Sequence, residues 1–272
     1  MSHPPAQSDG GDPATTSAPY YRAIANEVGL FEKAFELRQP LLLKGPTGCG
    51  KSRFVEHMAH LLARPLVTVA CHDETSAADL LGRFLIQGGD TVWQDGPVTR
   101  AVRTGAVLYL DEFAEARSDV VVALHPLSDY RRRIYVDRLD EELRAQPGFM
   151  LVASFNPGYQ HRLKELKPST RQRFVAVSFD YPSAAIETEI ICTESGIDAP
   201  VAKRLVALAG KLRKLDTLGL AEVPSTRLLV ESARLIAAGV PPRQACRAAL
   251  VEALTDDPAV VTGLNDAVAL VF

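Results

Sequence analysis

An eight-residue loop, Gly45-Pro-Thr-Gly-Cys-Gly-Lys51-Ser52, constrains this chain more than any other stretch. It completes the pattern GxxxxGK[ST] and stands between an apolar run, Leu41–Lys44, and an amphipathic one over 51–63. In the second run Phe54, Val55, Met58, Leu61 and Leu62 recur at helical spacing. Strand, glycine-rich loop and helix in that order make a phosphate cradle. Backbone N–H groups wrap the anion, and the helix N-terminus adds its positive end. Lys51 is then placed to reach β- and γ-phosphate oxygens and Ser52 to hold Mg²⁺, with Gly45, Pro46, Thr47, Gly48, Cys49 and Gly50 forming the wall. Nucleotide binding is the expectation.

Apolar runs over 66–70, 106–110, 149–154 and 174–178 follow, separated by amphipathic stretches. That alternation predicts an α/β fold around a five-stranded parallel sheet. After Tyr181-Pro182 the strand signal stops, and helical periodicity runs over 184–194, 201–215, 226–238 and 243–254. Pro200, Pro224 and Pro241-Pro242 stand where those helices start. The expected organisation is a flexible tail over 1–19, poor in bulky apolar residues, an α/β unit over 20–181 and a small all-helical lid over 182–272. Two hairpins are expected within the α/β unit. One covers 84–96 around a Gly88-Gly89-Asp90 turn and the other 131–140, with Arg131, Arg132 and Arg133 on a solvated face. Phe84, Leu85 and Trp93 are the bulky apolar residues of the first hairpin, and Trp93 is placed to pack the hairpin itself.

Hydrolysis requires more than a cradle. Val107-Leu-Tyr-Leu-Asp111-Glu112 supplies two carboxylates at a strand end, Asp111 to hold Mg²⁺ through its water shell and Glu112 to polarise the attacking water. Asn156, ending another strand and preceding Pro157, offers an amide between that water and the γ-phosphate, or simply a turn. Arg171 and Arg173 precede the last strand, far in sequence from the loop; they form either an exposed basic turn or a cation supplied in trans to the transition state, which is worth about 10³ to 10⁵ in rate. Arg227, at the start of a lid helix, is placed to report nucleotide state to the lid.

Composition narrows the partners. Thirty Lys+Arg against 33 Asp+Glu give a formal charge of −3 over 272 residues, which lacks the basic footprint of a dedicated nucleic-acid binder. No apolar run reaches the roughly 18 residues of a membrane span, and Met1 is not followed by an apolar leader. Four cysteines, at 49, 71, 192 and 246, have no metal-finger spacing, and His57, His60 and His72 do not suggest zinc. A cytoplasmic protein with reduced thiols and no nucleic-acid partner is expected.

The strings GPTGCGKS, LYLDE, SFNP, STRQRF and PSTR occur in the order and spacing of AAA+ ATPases. LLLKGPTGCGKSRFVEHMA, RPLVTVACHDETSAADLLGR, WQDGPVTRAVR and FNPGYQ resemble the CbbQ/NirQ/NorQ group of the MoxR branch, over nearly all of 20–272. That resemblance implies a homo-hexameric ring coupling Mg-dependent ATP turnover to remodelling of a client protein. It further implies an adaptor carrying a von Willebrand factor A domain. By the same resemblance Lys51, Ser52, Asp111 and Glu112 match the phosphate ligand, the Mg²⁺ ligands and the catalytic base. Asn156 matches sensor 1, Arg171 and Arg173 bracket the arginine finger, and Arg227 matches sensor 2, acting in cis or on a neighbour's nucleotide. Clients of the group include rubisco and nitric oxide reductase, and release of inhibitory sugar phosphates from rubisco is the favoured expectation. Nitric oxide reductase maturation and a DNA-associated motor follow it in that order.

Overall fold

The computed structural model describes residues 18–157, 166–214 and 222–272. Helix α1 (Glu27–Glu36) leads into β1 (Leu41–Lys44), the glycine-rich loop, α2 (Lys51–Leu61) and β2 (Leu66–Ala70). Next come α3 (Ala77–Leu81), a hairpin of β3 (Gly82–Gln87) and β4 (Asp90–Asp95), α4 (Pro97–Thr104) and β5 (Val107–Asp111). Helix α5 (Ser118–Ala123) and a second hairpin, β6 (Arg133–Val136) with β7 (Glu141–Arg144), precede β8 (Met150–Phe155). A short α6 (Pro168–Arg171) and β9 (Val175–Ser178) follow.

Five strands form one parallel sheet in the order β2-β5-β8-β1-β9. Its central strands alternate side chains between two apolar layers, which is why they read as continuous hydrophobic runs. On one face Leu42, Leu108, Leu110, Leu151, Ala153 and Phe155 pack together. On the other, Leu41, Leu43, Val107, Tyr109, Met150 and Val152 pack with Phe54 and Met58 of α2. The register then gathers the chemistry at one edge. Lys44 pairs with Phe155 and Leu110 with Ala153, so the carboxyl ends of β1, β5 and β8 lie side by side. The residues that follow them are the glycine-rich loop, Glu112 and Asn156.

Beyond β9 the regular elements among the described residues are helices. Helices α7 (Ala184–Ser195), α8 (Ala199–Leu212), α9 (Thr226–Ala237), α10 (Pro242–Cys246), α11 (Glu252–Leu254) and α12 (Pro258–Ala269) enclose a core of their own, centred on Ile191, Leu205, Leu229, Leu250 and Leu264. No helix among the described residues is long and apolar enough to cross a membrane.

Several local expectations shift. The strand expected over 106–110 runs one residue later, bringing Asp111 into the ladder opposite Ala70. Pro224 lies outside its helix, because the Ser225 hydroxyl accepts the Leu228 N–H and takes the cap position. Helices α1 and α12 had no sequence expectation, and the helix expected over 243–254 carries a π-turn at Arg247–Val251. The second hairpin is centred later than 131–140, with Asp140 in its turn at a left-handed φ of 52°. Arg132 is not on a solvated face. It stands at φ 46° and donates to the Arg38 and Phe149 carbonyls, while Arg131 forks onto Asp129 and Arg133 pairs with Glu142. The expected tail lies outside the described residues up to residue 17; at its end the Pro19 carbonyl stands 2.9 Å from His57 Nδ1.

Trp93 packs edge-on against Phe84 and ties its indole N–H to Asp95, and it also packs against the core beneath the sheet. Packing therefore accounts for Trp93. The hairpin's exposed apolar surface comes from Phe84, Ile86 and Val92.

Candidate functional site

The glycine-rich loop closes around its own lysine. Lys51 is buried, and its ammonium donates to the carbonyls of Gly45 and Pro46 and to Asn156 Oδ1, each at 2.8 Å. Gly48 and Gly50 take φ of 67° and 100°, a region open to glycine at no steric penalty, in the turn that leads into α2. Gly45 is needed for a different reason: a Cβ there would lie 2.6 Å from the Phe179 carbonyl of the neighbouring strand end. Burial lowers the Lys51 pKa, Arg227 adds to that, and Cys49, Asp111 and Glu112 oppose it. Burial also pushes the Cys49 thiol up, so it stays protonated at neutral pH and is a poor nucleophile.

Asp111 is fixed from several directions. Ser154 Oγ donates to its Oδ1 at 2.5 Å and the Tyr109 hydroxyl at 2.8 Å, and Ser52 Oγ donates to its Oδ2 at 3.3 Å. Ser52 and Asp111 thus stand together as hard oxygen donors on one side of the cradle, the donor set that suits Mg²⁺ held partly through water. Sequence reasoning missed Tyr109 and Ser154. The signal was present for Tyr109, because period-two alternation puts it on the same strand face as Asp111. Ser154 arrives from β8, and only the strand order reveals it.

Glu112 is a non-glycine residue at φ 52°, a sparsely populated conformation that persists where surroundings hold it. Its N–H donates to Ser154 Oγ at 3.1 Å and to Asp111 Oδ1 at 3.2 Å. Partial burial of the carboxyl and then the charge of Asp111 raise its pKa. A raised pKa means that the carboxylate is lost sooner as pH falls. The acid limb of kcat/KM for the free enzyme is therefore expected above the ordinary glutamate value, and a limb at or below that value would contradict the assignment.

Lys51, Ser52, Asp111, Glu112, Asn156 and Arg227 all line one cleft of about 440 Å³, within the range of small-molecule sites. Tyr20, Tyr21 and Ile24 before α1 and Ile190 and Val230 of the lid also line it, interleaved with charged side chains such as Arg22, Glu194 and Arg234. The first of these segments is anchored by Glu27, whose carboxylate accepts the Ile24 and Ala25 N–H groups and the Tyr21 hydroxyl, each at 2.7 Å. Arg227 sits in the first turn of α9, where a cation opposes the helix dipole, so helix stability does not explain its position.

Arg171 and Arg173 do not line this cleft. Arg171 is exposed, with its guanidinium 5.3 Å from the Phe155 ring centre. Arg173 is tied to Asp129 at 2.7 Å.

A phosphate loop and a carboxylate pair on neighbouring strand ends, roofed by helices, are what an AAA+ ATPase presents to its nucleotide. Residues 40–174 match the AAA domain (dynein-related subfamily), and residues 187–271 match the CbbQ/NirQ/NorQ C-terminal family. The chain belongs to the CbbQ/NirQ/NorQ family of MoxR-type AAA+ ATPases. It is 56% identical to the denitrification regulatory protein NirQ of Stutzerimonas stutzeri, over 95% of this chain and 94% of that one. It is 58% identical to protein NorQ of Paracoccus denitrificans over 94% of each chain, and 52% identical to protein CbbQ of Hydrogenophilus thermoluteolus over 94% and 96%. A crystal structure of a candidate ATPase from Cytophaga hutchinsonii shares the fold, with a TM-score of 0.51 and 16% identity over 89% of this chain and 80% of that one.

Proposed function

We propose that this ATPase hydrolyses ATP at the described cleft and works as a ring, each site being completed by an arginine from the next subunit. The observation that carries the reading is the convergence of Lys51, Ser52, Asp111, Glu112 and Asn156 on one cleft, with both candidate finger arginines outside it. The loop and Lys51 would hold the phosphate tail, and the part of the cleft lined by Tyr21, Ile24 and Val230 would take the base. Ser52, and Asp111 through water, would hold Mg²⁺, which when bound would neutralise charge on the phosphates. Glu112 takes the proton of the attacking water, Asn156 orients that water against the terminal phosphate, and Arg227 senses the phosphate from the lid. Tyr181-Pro182 marks the division between the α/β unit and the lid. Lys51→Ala is expected to abolish ATP binding and turnover together, checked by fluorescent-nucleotide titration and phosphate release; wild-type binding in that variant would contradict the site.

The ring, a homo-hexamer in the cytoplasm, is proposed to pass its work through a von Willebrand factor A domain adaptor to a client enzyme. The exposed Phe84 and Ile86 of the first hairpin supply an apolar grip for that client. Two clients are supported by different relatives. The denitrification name of the NirQ relatives, at 56% and 58% identity, favours maturation of a denitrification enzyme such as nitric oxide reductase. Similarity to CbbQ, at 52%, supports rubisco activation by release of inhibitory sugar phosphates. Mixing the ATPase, its adaptor and ATP with each inactive client in turn separates them: recovery of one client's activity assigns it, and recovery of neither overturns both.

A further inference from the structure

We propose that Tyr181 and Arg213, backed by Glu187, are positioning residues that fix Arg227 over the nucleotide by tying the lid to the phosphate loop. The inference rests on the reading of the cleft given above. A continuous set of contacts carries it. The Tyr181 hydroxyl donates to the Thr47 carbonyl at 3.1 Å, inside the phosphate loop. The Arg213 guanidinium lies 4.0 Å from the centre of the Tyr181 ring. Its Nη1 and Nη2 fork onto Glu187 at 2.9 and 2.7 Å, and its Nε donates to the Pro224 carbonyl at 2.8 Å. Glu187 also accepts the Thr226 hydroxyl at 2.7 Å, and Thr226 is the neighbour of Arg227.

Every nitrogen of that guanidinium is committed, and Glu187 is 1% exposed. A buried ion pair is weak evidence for stability, because desolvation offsets much of the attraction. What this pair does have is geometry: a planar fork on one side, a stacked ring on the other, and a hydrogen bond to the segment that leads into α9. The loop and lid also meet directly, since a Cβ at Gly48 would stand 2.6 Å from the Ser225 hydroxyl. Residues 47–48 and 224–227 are thereby held in one arrangement, and Arg227 is carried by the second of these segments.

A double-mutant cycle tests this. Tyr181→Phe removes the hydroxyl and leaves the ring for Arg213, so folding does not depend on the change, whereas Arg213→Ala would strand a buried carboxylate. Tyr181→Phe is expected to lower ATPase kcat/KM about fivefold, the worth of one neutral hydrogen bond, and Arg227→Ala at least about tenfold, as for a charged contact. If Tyr181 acts through Arg227, the double variant matches Arg227→Ala alone. Multiplied losses, or an unaltered Tyr181→Phe, would overturn the proposal. A merely structural Tyr181 would give the multiplied result. Lys51→Ala in the same assay separates the two readings. Wild-type turnover there would overturn the cleft and this inference with it, whereas an inactive Lys51→Ala beside multiplied losses overturns the inference alone.

Discussion

Glu112→Gln is expected to keep ATP and lose its hydrolysis, with kcat falling about 10²- to 10⁴-fold, the usual worth of a positioned general base. Glutamine has nearly the same shape, so the main-chain bonds from residue 112 to Ser154 and Asp111 survive the change. What disappears is the proton acceptor at the mouth of the cleft. Asp111 keeps its own hydrogen bonds from Ser154, Tyr109 and Ser52 in this variant, so the loss reports on residue 112 alone. Phosphate release beside equilibrium binding of a fluorescent ATP analogue separates the two effects. Turnover near the wild-type rate would remove Glu112 from the mechanism.

The second large effect is expected at the arginines before β9. Alanine at the one that serves as the finger should lower kcat about 10³- to 10⁵-fold while leaving ATP binding intact, because the cation stabilises the transition state and not the ground state. The two arginines are not equivalent. Arg173 is tied to Asp129, whose carboxyl is held down to about 2 by Arg131 and, to a smaller degree, by Arg173 itself. Asp129 therefore stays charged across the physiological range and keeps its hold on Arg173. Arg171 lies at the surface and lines a separate pocket with Lys44, Phe155 and Asp180. Single alanine variants, compared by kcat at saturating ATP, identify the finger by the larger loss. Wild-type rates in both would refute a trans arginine from this segment.

Elements with strong local signals were legible in the sequence. The β1 and β2 bounds match expectation, since each is a short buried run closed by a loop. That the phosphate loop, Asp111 and Glu112 would come together was also legible, because each stands at the end of a buried run. Long-range juxtaposition was hidden. Ser154 reaches Asp111 through the order of the sheet, and Tyr181, Arg213 and Glu187 meet only when the lid folds back on the loop. Arg132 looked like part of a solvated basic run, and a left-handed backbone turned it inward onto two carbonyls. Helix α12 escaped notice because its sequence, Pro-Ala-Val-Val-Thr-Gly-Leu-Asn-Asp-Ala-Val-Ala, is apolar on more than one side and has a weak helical stripe.

A shared site between subunits is tested most directly by mixing two dead proteins. Lys51→Ala retains its arginines and lacks the ammonium that seats phosphate; the finger variant retains the cradle and lacks the donated cation. Combined in one ring, a fraction of interfaces joins an intact cradle to an intact arginine, and ATPase activity should return to a measurable share of wild type. Mixtures that stay inactive at every ratio, although both variants assemble together, would contradict the composite site.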